Sequence, residues 1–105
     1  MSRVITANSV IVANPQQVTG DLPDGDIVIL SLKDGVYYGL NAVGGYIWKS
    51  LQTPVSVQDV YLKLINEFDV DAQQCYSDLI KLLEDLTKNG LIQVQEMAET
   101  VVEGN

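Results

Sequence analysis

The chain has 105 residues, 47% of them apolar, and a formal net charge of −8 from 14 acidic and six basic residues. That length holds one core and one domain. The acidic balance speaks against nucleic acid, whose phosphates need Lys and Arg, and against anionic membranes.

A single cysteine, Cys75, excludes an intrachain disulfide framework, and the lack of histidine argues against a metal site. No basic flank precedes a long apolar run, so no signal peptide is expected. No segment approaches the roughly 20 apolar residues that span a bilayer. A cytoplasmic chain is the expectation, its charge serving solubility or favouring basic or neutral partners.

The N-terminal third reads as β structure. Val10-Ile11-Val12 is a short apolar run before Asn14-Pro15, and Val18 to Leu22 pairs with it or extends the sheet. Asp21 to Asp26, with Pro23 and Asp24-Gly25, is a turn. Ile27 to Lys33 is a strand rich in branched residues. Asp34-Gly35 then signals a two-residue hairpin turn, with Val36 to Leu40 returning. That turn sets Lys33 opposite Val36, Ser31 opposite Tyr38 and Ile29 opposite Leu40. Both faces carry apolar residues, so periodicity does not say which one meets the core.

Three helices follow. The first runs from the cap residue Asn41 to Leu51, with Val43, Tyr46 and Ile47 on one face and Trp48 beside them. Trp48 is expected in the core. Gly44-Gly45 costs about 1 kcal/mol per glycine relative to alanine, which asks for close backbone packing. Thr53-Pro54 ends this helix. The second spans Ser56 to Phe68, with Ser56 and Asp59 as a capping box and a clean stripe from Val57 to Phe68. The third runs from Asp71 to Asn89, closed by Gly90 and Leu91, and Leu91 to Gln95 alternates as a short final strand.

At 100° per residue the apolar arc of the third helix covers roughly 160°, more than a core-facing stripe needs. Leu79, Leu83 and Leu86 sit mid-arc. Cys75 and Leu82 form one flank, bordered by Asp78 and Asp85; Tyr76 and Ile80 form the other. The surplus is either core between two neighbours or one wall of an apolar groove with an acidic rim, suited to an extended peptide.

The expected fold is α+β and winged helix-turn-helix-like: a small antiparallel N-terminal sheet on a three-helix bundle, with a short C-terminal strand. It forms one domain over residues 1–95, followed by an acidic flexible tail, 96–105. A DNA role is disfavoured, because the third helix sets Lys81 and Lys88 against Asp78, Glu84 and Asp85. Asp24, Asp26 and Asp34 flank turns, where acids bond locally. No base or nucleophile accompanies them, so no enzyme activity, catalytic residue or cofactor is expected.

The run YYGLNAVGGYIWKSL, then Val57–Phe68, then a long helix ending in Asn89-Gly90-Leu91-Ile92, resembles the PqqD family over about Ile27 to Val94. These are leader-peptide recognition proteins of ribosomally made, post-translationally modified peptide pathways. The Tyr-Tyr-x-Leu-Asn version resembles the stand-alone proteins of lasso-peptide systems. The resemblance implies a recognition protein without chemistry of its own. It implies that a precursor's leader adds as a strand to the sheet edge, lies beside the third helix, and is delivered to a leader peptidase or other modifying enzyme. By that geometry Val36, Tyr37, Tyr38, Gly39 and Leu40 form the docking strand. Cys75, Asp78, Leu79, Leu82 and Asp85 face the leader from the third helix, Cys75 as a lining group. The other reading is an acidic winged-helix adaptor that binds a different protein partner.

Overall fold

The computed structural model describes residues 5–95. The acidic tail expected at 96–105 lies outside the described residues. The elements are β1 (Val10–Ala13), β2 (Gln17–Asp21), β3 (Ile27–Ser31), β4 (Tyr37–Leu40), α1 (Ala42–Ser50), β5 (Val55–Ser56), α2 (Val57–Glu67), α3 (Ala72–Lys88) and β6 (Ile92–Gln95). The architecture is α+β, with three helices in a winged helix-turn-helix-like order. Among the described residues no helix is long and apolar enough to cross a membrane.

The helices begin where capping chemistry dictates. Gly44 N–H donates to Asn41 Oδ1 at 2.8 Å, Asp59 N–H to Ser56 Oγ at 3.1 Å, and Gln74 N–H to Asp71 Oδ2 at 2.9 Å. α3 ends in a Schellman motif. Gly90, at φ 76°, turns the chain, Leu91 N–H donates to the Leu86 carbonyl at 2.9 Å, and Leu91 is fully buried.

The strands do not form one N-terminal sheet. They divide into two antiparallel sheets, ordered β5-β1-β6 and β2-β3-β4. Asn14-Pro15 breaks the chain between β1 and β2, and Pro has no N–H to continue a ladder. β1 instead pairs with the C-terminal strand, Ile11 opposite Val94 and Ala13 opposite Ile92. β5 was not visible in the pattern. It has two residues and forms only because Ile11 and Val10 offer it an edge.

The β3–β4 hairpin also differs from expectation. Ile29 lies opposite Tyr38 and Ile27 opposite Leu40, two residues away from the register that a two-residue turn sets. The loop has four residues, Leu32 to Gly35: Ser31 N–H donates to the Val36 carbonyl at 3.0 Å and Gly35 N–H to Ser31 at 2.8 Å. The expected tight turn needs positive φ at both central residues. Only Gly35 adopts it, at φ 72°, while the Asp34 carboxylate turns in to accept Val36 N–H at 3.2 Å.

A shift of two preserves the faces. Ile27, Ile29 and Ser31 point into the core, joined by half-buried Tyr38 and Leu40. The opposite face carries a row of Val18, Leu30 and Tyr37 across the sheet, with Tyr37 68% exposed.

Trp48 lies in the core, 2% exposed, and its Nε1 donates to Thr19 Oγ1 at 3.0 Å. That bond ties α1 to β2, so the β2-β3-β4 sheet is anchored to the helical body. The second anchor is Gly45. A Cβ built there meets Ile27 Cγ2 at 3.2 Å and the Gly25 carbonyl oxygen at 3.3 Å. The close approach expected of the glycine pair thus falls on the loop before β3. Gly45→Val is expected to destabilise the fold by about 1–3 kcal/mol through overpacking, measured by urea unfolding.

Candidate functional site: an open strand edge beside an apolar groove

β4 is an edge strand of its sheet. In an antiparallel ladder, hydrogen-bonded and non-bonded pairs alternate. Since Ser31 N–H bonds to Val36, the pairs Ile29–Tyr38 and Ile27–Leu40 are the bonded ones in this register. The N–H and C=O groups of Tyr37 and Gly39 therefore point away from β3, toward the open side. Among the described residues a Cβ at Gly39 would meet nothing within 4 Å, and its φ is not positive, so neither their packing nor the local backbone geometry requires glycine there.

Beside this edge runs a groove of about 620 Å³. Gly39, Leu40 and Asn41 form one lip where β4 turns into α1. Val43, Gly44 and Ile47 of α1 and Leu64 of α2 contribute apolar surface. The opposite wall is α3, presenting Cys75, Leu79 and Leu82, with Asp71, Gln74 and Asp78 along its length and Val70 before it. Asp71, Gln74 and Asp78 recur at helical spacing, which aligns them on one side of the helix. Gln74 Nε2 donates to Asp78 Oδ1 at 2.9 Å.

The flank question is thereby answered. The Cys75–Leu82 flank faces the groove, while Tyr76 packs edge-on against Tyr61 of α2 at 5.5 Å between ring centres. Of the expected site residues, the structure brings together Gly39, Leu40, Cys75, Asp78, Leu79 and Leu82. It does not bring in four others. Val36 precedes β4 and is exposed, and Tyr37 offers only its backbone to the open edge, its side chain projecting onto the opposite face. Tyr38 turns inward, but its hydroxyl reaches Asn89 Oδ1 at 3.3 Å, beyond the groove. Asp85 lies farther along α3, near the helix end, where its carbonyl accepts from Asn89.

Sequence reasoning did not assign Asn41, Val43, Gly44, Ile47, Leu64, Val70, Asp71 and Gln74 to the groove. Asn41 and Asp71 were accounted for as caps, and Val43, Ile47 and Leu64 as core spacing. Val70 sits in a short connection with no periodic signal.

Burial, and secondarily the neighbouring Asp78 carboxylate, push the Cys75 thiol up from its ordinary range. The thiolate is disfavoured at neutral pH, so Cys75 presents a neutral thiol to the groove. Iodoacetamide is therefore expected to alkylate Cys75 more slowly than free glutathione at pH 8. The rate should rise only at higher pH than for the free thiol. Asp78→Asn removes a like charge, lowers the thiol pKa and should speed alkylation at a fixed pH.

Fold and groove together define a class: a small winged helix-turn-helix-like domain with a free strand edge beside an apolar, acid-lined cleft. The chain belongs to the PqqD family, whose model, described as coenzyme PQQ synthesis protein D, matches residues 26–92. Among solved structures it is similar to TbiB1 in complex with the TbiA(beta) leader peptide. The identity is 26% over 82% of this chain and 99% of that one, with a TM-score of 0.69. It also shares the fold of a lasso peptide synthetase B1 complexed with the leader peptide, at 23% identity over 79% of this chain and 96% of that one, TM-score 0.63. A sequence comparison with curated proteins gives no match.

Proposed function

We propose that this protein binds the N-terminal leader of a ribosomally made precursor peptide by strand addition to β4 and delivers it to a modifying enzyme. The observation that carries the reading is the outward pair of backbone groups at Tyr37 and Gly39, set beside the groove. An added strand satisfies those groups, and its alternate side chains enter the groove. β2 is also an edge, but the groove lies on the β4 side.

The similarity to solved leader-peptide complexes supports a lasso-type pathway. The receiving enzyme is then a leader peptidase or another modifying enzyme. In this reading the protein is a non-catalytic, cytoplasmic carrier. Its binding domain spans residues 1–95, and 96–105 is an acidic extension. The peptide-contacting residues are Tyr37 through its backbone, Gly39 and Leu40 on the strand, with Cys75, Asp78, Leu79 and Leu82 on α3.

Hydrogen exchange during titration tests this directly. Synthetic leaders from precursor genes neighbouring its own are added to the purified chain. The Tyr37 and Gly39 amides should exchange fast in the free protein and become protected at saturation. Those of Tyr38 and Leu40, already bonded to β3, should change little. Saturable binding that leaves Tyr37 and Gly39 unprotected would place the dock elsewhere. No binding to any such leader would favour an adaptor for another protein.

A further inference from the structure

The proposed leader site also has a polarity. Among the described residues no lysine or arginine lines the groove, whereas two carboxylates, Asp71 and Asp78, do. Asp71 Oδ2 is used by the helix cap and Asp78 Oδ1 by Gln74, which leaves one oxygen of each without a protein hydrogen bond among the described residues. Lys81 lies one turn beyond Asp78 on α3, yet forms no ion pair with it among the described residues. Lys49 is engaged with Asp21 at 3.2 Å. Asp78 sits three residues from Cys75 on the same wall of α3, so its charge borders the apolar surface of the groove.

Resting on the leader-binding reading, we infer that the groove selects strands in which a lysine or arginine accompanies the apolar anchor, the cation meeting Asp78 with support from Asp71. A long basic side chain suits this surface. Its methylene stem packs on Cys75 and Leu82 while the charged head reaches the rim. A neutral strand lying over the rim desolvates the Asp78 oxygen without giving it a partner. An acidic residue there meets the like charge of Asp78 at contact distance, well inside the screening length of about 8 Å at physiological salt.

The test uses a ribosome-displayed library of random decapeptides selected on the immobilised full-length chain. Because the whole protein is acidic, unspecific attraction is subtracted by comparing variants. Asp78→Asn keeps an acceptor for Gln74, Asp71→Asn keeps a good cap, and Asp59→Asn removes one exposed charge on α2, outside the groove. Lys and Arg should be enriched over Asp and Glu on the wild type and on Asp59→Asn. The enrichment should fall on Asp71→Asn and vanish on Asp78→Asn. One selected peptide then enters a double-mutant cycle. Replacing its lysine by norleucine should weaken wild-type binding about five- to tenfold and leave binding to Asp78→Asn unchanged.

Retained peptides without charge preference, or with equal preference on all variants, overturn the inference. If their binding is still lost in Gly39→Pro, strand docking itself stands. Retention of no peptide counts against both.

Discussion

Gly39→Pro is expected to weaken leader binding about hundredfold while leaving the fold intact, from the loss of one backbone hydrogen bond and the bulk of the ring at the docking edge. The selectivity of this effect comes from the ladder. Gly39 N–H points away from β3, so proline removes no hydrogen bond from the native sheet. Proline also restricts the preceding residue to extended conformations, which Tyr38 already adopts within β4. Among the described residues, chain neighbours aside, nothing lies within 4 Å of the position a Cβ would take. Gly39→Ala retains the donor and should bind within about twofold of wild type, as expected of an exposed position. Isothermal titration with a cognate leader measures both, and circular dichroism checks the fold. A folded Gly39→Pro protein with undiminished affinity would remove β4 from the mechanism.

Trp48→Ala is expected to cost about 3–5 kcal/mol of stability, a large share of what a domain this size possesses. The indole fills the centre of the core and supplies the hydrogen bond to Thr19. Its loss leaves a cavity and releases β2 from α1, the exposed Thr19 hydroxyl turning to water. Thermal unfolding should shift down by more than about 10 °C. Trp48→Phe restores most of the volume but not the bond, and should cost about 1–2 kcal/mol. Because the same contact seats the β2-β3-β4 sheet on the helices, leader affinity should fall in the order of these two losses. An alanine variant that unfolds within 2 °C of wild type (about 0.5 kcal/mol) would remove Trp48 from its keystone role.

Much of this was legible in the residues. The caps Asn41, Ser56 and Asp71 are short polar side chains that bond their own backbone three residues on, so they mark helix starts without reference to the rest of the molecule. The Gly90-Leu91 close is equally local. Leu79 and Leu82 stood out because helical spacing is a property of the sequence itself. Position along an element suggests Val36, the Tyr37 side chain and Asp85 as well, whereas the groove takes in part of a strand and part of a helix.

The sequence by itself determined the helices, their ends, the strand-turn-strand of β3 and β4, the acidic balance and the kinship that residues 26–92 bear out. Those signals arise within a few residues of one another, where capping and periodicity operate. Only the tertiary structure decided that the strands split into two sheets, that the hairpin loop has four residues, and that the Cys75–Leu82 flank faces the groove. The first and last depend on partners remote in the chain: β6 for β1, Tyr61 for Tyr76, and the β4–α1 junction for α3. The loop turns on which of its own bonds, Asp34 to Val36 among them, the folded sheet lets form. Pairing and packing across such distances are chosen by which surfaces the whole core leaves available, and no local pattern encodes that choice.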